Sequence, residues 1–424
     1  MNIHLAYGRE GLDITVPDEN LVKVMTMRSA QPLANSEQDV ASSLKHPLGG
    51  PTLSELAAKA KTACVVICDI TRPVPNKILL PHIFRELEQN GMARENITVL
   101  VATGLHRPSK PQELDVMVGS EIQKHYRVID HHARVTGEQK YLGATSHGTP
   151  VYVDKEYCNS DLKITTGFIE PHLMAGFSGG RKMIAPGCAG EETIKVLHSP
   201  HFLENPMCRE GSIEGNPLHH ELLEIARMAG HDFIVNVAMN ETGKITGVFA
   251  GDPVRAHEVG VAHVRESVRS TSPEPVDIVI TTSAGYPLDL TFYQAVKGMT
   301  AALPIVKKGG MLIIAAECAE GLGSDEFCEM ATRFQSAHSF LETIMSNPVV
   351  LDQWQLEECA KAARKADVVL VSSGIAASQL AKLFIRSSDS VENALQQGFK
   401  KYGPHASVAV IPKGPYTLVD LSPV

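Results

Sequence analysis

Short apolar, β-branched runs alternate with segments of helical periodicity along most of the chain. Cys64–Asp69, Ile97–Thr103, Leu162–Thr166, Ile234–Ala238, Val276–Thr282, Gly310–Ala316, Val368–Ser372 and Val408–Ile411 have the composition of buried strands. Between them Lys77–Gln89, Pro217–Met228, Pro253–Val268, Phe292–Ile305, Gln355–Lys365 and Val391–Lys401 read as helices, and Val254, Val261, Val264 and Val268 mark one apolar stripe. Near-continuous hydrophobic strands alternating with helices predict an α/β fold, in which largely parallel sheets are covered on both faces. Ligands of such sheets sit beyond the carboxyl ends of the strands, so chemistry is expected at strand-to-helix junctions.

Two domains are expected. The polar, proline-bearing stretch Ser270–Pro275 separates a helix from a fresh strand and marks the boundary, leaving an N-terminal domain over 1–271 and a Rossmann-like domain over 272–404. Up to about residue 50 the chain reads as a two-stranded or irregular extension, with turns at Gly8–Gly11 and Pro17–Asn20. The active site is expected in the cleft between the domains.

Composition narrows the function. With 43% hydrophobic and 21% charged residues in 424, the chain is a globular protein, and its formal charge of -9 offers no basic field for a nucleic acid. Apolar stretches such as Met311–Ala316 fall far short of the ~20 residues of a membrane span. Met1–Val16 carries Glu10 and Asp13 and no apolar core of a secretory leader, and the 8 cysteines include no C-x-x-C pair. They read as reduced thiols of a cytoplasmic protein. The pattern carries no signal for an oligomeric state. What stands out is 18 histidines, the side chain of proton traffic near neutral pH and a common metal ligand.

The junctions show where those histidines matter. Cys68-Asp69-Ile70-Thr71-Arg72-Pro73 ends a strand with an acid, a hydroxyl and an arginine beside a helix start, a natural anion cradle. Thr103-Gly104-Leu105-His106-Arg107-Pro108 places His106 at the same sheet edge. The densest junction runs from Glu170 through His172 to Gly176-Phe177-Ser178-Gly179-Gly180-Arg181-Lys182, where glycines allow close backbone approach and His172, Arg181 and Lys182 resist explanation by packing. It lacks the spacing and final Ser/Thr of a Walker A loop, no G-x-G-x-x-G follows a strand, and His220-Glu221 has no second histidine at the zincin spacing. His198 closes the helix Glu191–His198, where a dipole-facing histidine is equally common. Tyr293, Gln294 and Lys297 share one face near the start of a helix, an amide and a cation suited to a carboxylate. Two neutral-range bases with carboxylate binders fit proton abstraction from and return to a small acid; one base would serve a dehydrogenase, two a racemase or epimerase.

The motifs Asp69-x-Thr71-Arg72-Pro73, Thr103 to Pro108, Glu170-x-His172 through Lys182, and Tyr293-Gln294-Ala295-Val296-Lys297-Gly298-Met299-Thr300 resemble the nickel-dependent lactate racemase family, in matching order along nearly the whole chain. The resemblance implies a nickel-pincer nucleotide joined to Lys182 as a thioamide, with His198 as the protein ligand of nickel and Asp69, Ile70, Thr71 and Arg72 lining the cofactor. It implies His106 and His172 as paired proton donor and acceptor, Arg72, Tyr293, Gln294 and Lys297 as substrate binders, and dependence on cofactor-assembly enzymes. The implied reaction inverts C2 of a 2-hydroxy acid by proton-coupled hydride transfer through a transient keto acid. Substrates in the family range from lactate to malate, larger 2-hydroxy acids and sugar acids, and the flank Leu290-Thr291-Phe292 departs from the pattern beside the substrate helix. The family also implies that residues 405–424 return to the first domain. An NAD-type 2-hydroxyacid dehydrogenase and a non-enzymatic nickel or nucleotide carrier are the competing classes; neither needs an adduct at Lys182.

Overall fold

The computed structural model describes residues 1–28 and 30–422. The chain divides into two compact units. The first combines Ser29–Leu197 with Ser212–Ser267, and the second gathers Met1–Arg28, His198–Gly211 and Val268–Val424.

The first unit is built on a six-stranded sheet in the order Ile245–Gly251, Phe233–Met239, Leu162–Phe168, Ala63–Cys68, Ile97–Ala102 and Arg127–Asp130. All neighbours are parallel except the first pair, which is antiparallel. Every residue of Ala63–Cys68 is buried, as a central strand between covered faces requires. Helix Asn76–Gln89 buries Leu79, Leu80, Ile83, Phe84 and Leu87, spaced to present one apolar stripe. In register, Cys68 faces Ala102 and Val66 faces Thr165, so three neighbouring strands end along one edge. That edge is where Asp69, Thr103 and Ile169 begin their loops.

The second unit carries six parallel strands in the order Arg386–Ser388, Asp367–Val371, Val306–Ala315, Val276–Thr282, Val408–Ile411 and Leu21–Val24. One apolar cluster packs Val279, Leu312 and Ile314 with Phe292, Met299, Phe327 and Phe340; another packs Ile278, Ile280 and Ile313 with Val391, Leu395, Ile3, Leu5 and Ile14. Both faces are thereby covered, and the α/β class expected from the hydrophobic pattern is what the chain adopts. Among the described residues no helix is long and apolar enough to cross a membrane.

The division of the chain differs from the sequence expectation. Residues 1–28 join the second unit because Ile3, Leu5, Ile14 and Val16 of the hairpin Asn2–Leu5/Leu12–Thr15 bury against its sheet and Leu21–Val24 extends that sheet beside Val408–Ile411. Residues 405–424 stay in the second unit too: Leu418–Leu421 pairs in parallel with Arg269–Ser272. The stretch around Ser270, read as a polar linker, is therefore partly a strand, its hydroxyls hiding that role from a hydropathy reading.

Candidate functional site

In the first unit, the turn after Ala63–Cys68 presents Asp69, which is buried with its side-chain oxygens occupied. Oδ2 lies 2.7 Å from His106 Nδ1, while Oδ1 accepts from Thr71 Oγ1 at 2.6 Å and from Thr71 N at 3.3 Å. Burial alone would raise this carboxyl, but the hydrogen bonds from His106 and Thr71, with the charges of His106 and Arg72, hold it below its ordinary value. A carboxylate only accepts, so His106 donates from Nδ1, which in the neutral form of the ring leaves the lone pair on Nε2. Ile70 occupies the turn between, and Arg72 Nε stands 4.0 Å from Glu170 Oε1. Neighbouring Arg107 is taken up by Glu113 at 2.8 and 2.6 Å.

The adjacent strand, Leu162–Phe168, leads into a small hairpin, Pro171–His172 against Gly176–Phe177. Here the histidine is held the other way round. Met174 N and Ala175 N donate to His172 Nδ1 at 3.3 and 3.2 Å, so the neutral ring carries its hydrogen on Nε2. Gly176, at φ +77, has no alternative: a Cβ there would lie 2.0 Å from Ser212 O. Gly179, at φ +76, opens the short turn Gly180–Met183 that carries Lys182, and a Cβ on it would meet Asn236 Oδ1 at 2.6 Å. Burial first, then the positive charges of Arg181 and Arg72, bring the Lys182 amine down to about 7.

In the second unit His198 follows the helix Glu191–Leu197 in a turn. Its ring lies 4.7 Å from that of Trp354. Trp354 Nε1 donates to Tyr293 Oη at 3.2 Å, and Gln355 Nε2 donates to Tyr293 O at 2.8 Å, so the helix Gln353–Lys365 ties His198 to the helix Phe292–Ala302. Thr291 caps that second helix, and Gln294 keeps a buried Oε1 with no partner among the described residues. Lys297 lies one turn further on.

Residues 7–211 match the family described as lactate racemase N-terminal domain, and residues 271–419 match the lactate racemase C-terminal domain. The chain belongs to the lactate racemase family. It is an isomerase, a racemase by kind. The lactate racemase of Thermoanaerobacterium thermosaccharolyticum is 33% identical over 423 residues, covering 99% of both chains, and that of Lactiplantibacillus plantarum is 34% identical over 417 residues, covering 97% of this chain and 98% of the relative. The solved lactate racemase apoprotein from T. thermosaccharolyticum superposes with a TM-score of 0.93 at 32% identity, over 99% of this chain and 100% of that one. A Thermotoga maritima protein shares the fold at 18% identity and a TM-score of 0.68, over 93% of this chain and 100% of that one.

Within this racemase-family chain the sequence-predicted residues fall into two groups. Asp69, Ile70, Thr71, Arg72, His106, His172 and Lys182 share one sheet edge of the first unit, whereas His198, Tyr293, Gln294 and Lys297 belong to the second. Sequence reasoning did not find Trp354, although a lone tryptophan in 424 residues was the available signal. Asp69, expected to line the cofactor, has its carboxylate bonded to His106 and Thr71. His131, bonded to Asp154 Oδ2 and Ala189 O at 2.9 Å each, is a packed structural histidine.

Proposed function

We propose that the protein inverts the C2 stereocentre of a 2-hydroxy acid, with lactate as the first candidate substrate, using a nickel-pincer nucleotide held by Lys182 and His198. The observation that carries this reading is the opposite setting of two histidines at one sheet edge: His106 offers a lone pair at Nε2 and His172 a hydrogen.

The residues fit the cofactor. Lys182, lowered to about 7, has a substantial neutral and hence nucleophilic fraction near neutral pH, as thioamide formation with a thioacid requires. Arg181 is buried with its Nε lacking a partner among the described residues, and with Arg72 it makes a positive surround suited to a nucleotide phosphate. His198 supplies an imidazole, a good donor to nickel. When bound, the pincer nucleotide would take up and return the hydride of the substrate's α-carbon.

The chain's own groups do the rest. His106 Nε2 takes the hydroxyl proton, and Asp69 stabilises the imidazolium as it forms. His172 Nε2–H donates a hydrogen bond to the hydroxyl oxygen as it becomes a carbonyl, and the proton held on His106 returns to it as the hydroxyl is restored, leaving both rings as they began. Arg72 and Lys297 counter the substrate carboxylate, Gln294 adds an amide, and Tyr293 is held in place by Trp354. Loading calls for cofactor-assembly enzymes, and free thiols such as buried Cys64, Cys68 and Cys188 suit the reducing cytoplasm.

The test is a chiral assay of a panel of 2-hydroxy acids on nickel-loaded protein, together with its intact mass. Lactate inversion with an adduct at Lys182 is expected; an active sample of unmodified mass overturns the cofactor reading, and inversion of malate or a larger acid alone reassigns the substrate. His106→Ala and His172→Ala should each cost ~10²- to 10⁴-fold in turnover with the adduct intact. Unchanged turnover in either refutes the paired action of the two histidines.

A further inference from the structure

We propose that Asn216 and Arg181 are positioning residues for His172. Together they clamp the backbone of Met174–Gly176 so that its amides hold Nδ1 as an acceptor, which commits the ring to presenting its hydrogen from Nε2. The proposal rests on the reading of His172 as the donor to the substrate oxygen.

Two amide donors at 3.3 and 3.2 Å make long hydrogen bonds, and in an untethered loop they would not select a tautomer. What makes them selective is how the peptide groups are pinned. Asn216 is fully buried, and its Nδ2 donates to Met174 O at 2.9 Å and to Ser212 O at 3.0 Å. Met174 C=O and Ala175 N–H belong to one planar peptide, so holding the oxygen aims the N–H at the ring and polarises it toward Nδ1. The next peptide is held from the other side: Arg181 Nη2 donates to Ala175 O at 2.8 Å. Arg181 is braced in turn by His257, whose Nε2 lies 2.9 Å from Nη1 and 2.8 Å from Ser178 O.

Arg181 carries this role at a cost. It is among the largest fully buried side chains, and no carboxylate among the described residues pairs with it. An uncompensated buried cation is expensive, and simple space-filling would be better served by an apolar side chain. A forked donor that reaches a carbonyl beside His172 supplies a reason to keep it. Asn216 has a second duty, since its Oδ1 accepts from His219 N at 3.2 Å and caps the helix Pro217–Ala229.

That division of labour within one side chain allows a clean test. Asn216→Asp keeps the capping oxygen and removes both donors, while Arg181→Lys keeps the charge and removes the fork. Histidine ¹⁵N NMR on the full-length protein without cofactor, with the His172 signals assigned by their loss in His172→Gln, reads the tautomer directly. Wild type is expected to show hydrogen on Nε2 alone. Both variants, checked for native fold by circular dichroism, are expected to show a mixture of Nδ1–H and Nε2–H forms. In loaded enzyme they should lower kcat by about 10- to 100-fold with KM little changed and an altered pH–rate profile. Hydrogen on Nδ1 in wild type, or an unchanged Nε2–H form in both folded variants, overturns the positioning role. Racemisation persisting in His172→Ala would instead overturn the reading of His172 as a donor to the substrate oxygen and leave the tautomer result standing, so the two failures are distinguishable.

Discussion

The two units bury carboxyl groups to opposite effect. Asp69 in the first unit is ionised below its ordinary range, whereas Glu210 in the second is pushed by burial up to about 8 and Glu357 is raised strongly as well. Burial raises all of them. The difference lies in the donors: three hydrogen bonds from His106 and Thr71 converge on Asp69, whereas Glu210 accepts one, from Thr300 Oγ1 at 3.2 Å, and at Glu357 burial and the charges of Glu358 and Glu204 outweigh that of Lys361. A buried acid stays charged where the fold has built donors around it, and such donors mark a group placed to act on a neighbour. Where they are too few, burial raises the acid instead.

The most damaging way to sharpen the contrast is Asp69→Asn. It keeps the shape but removes the charge that fixes His106, and kcat should fall by ~10²- to 10⁴-fold in a folded protein that still carries its adduct. A kcat within twofold of wild type would erase the distinction between Asp69 and the second unit's acids.

A smaller effect concerns Lys182, the half-buried base of the first unit. In protein without cofactor its acylation, followed by peptide mass spectrometry across pH, should have a midpoint near 7 and run ~10²- to 10³-fold faster at pH 7.5 than an ordinary lysine. A midpoint near 10 would show that burial and Arg181 do not act as described. Because the unfolded chain binds this proton up to the ordinary value of 10.5, the group makes stability rise with pH between about 7 and 10.5.

Glu357 works in the other direction with the smallest effect. Its raised value means the folded state keeps a proton that the unfolded chain loses above the ordinary 4.5, so stability declines as pH climbs past that point. Glu357→Gln should raise Tm by about 2–4 °C at pH 8 and leave it nearly unchanged at pH 4. A gain of equal size at both pH values would mean that packing, not ionisation, distinguishes this acid.

Local periodicity made most elements legible. Strand Val276–Thr282 and strand Val408–Ile411 fall where the apolar runs predict, and helix Asn76–Gln89 begins one residue before its expected start. The junction residues were legible for a related reason: in a parallel sheet the carboxyl edge is common to all strands, so Asp69, His106 and His172 could be grouped without knowing their contacts. Arg269–Ser272 and Leu21–Val24 escaped because polar or short edge strands carry no hydropathy signature and declare themselves only through a distant partner.

By itself the sequence determined the α/β class, the loops that carry chemistry and, through long ordered motifs, the family. Only the tertiary structure decided which nitrogen of each neutral histidine carries the hydrogen. For His106 that follows from Asp69 and the register of Cys68 against Ala102; for His172 it follows from a peptide held by Asn216, far along the chain. Likewise Trp354 meets His198 only because the helix Gln353–Lys365 packs beside that turn. Residue types can be read from neighbours in sequence, but a tautomer is chosen by whichever donor or acceptor lies within hydrogen-bonding distance, and that distance exists only in the folded chain.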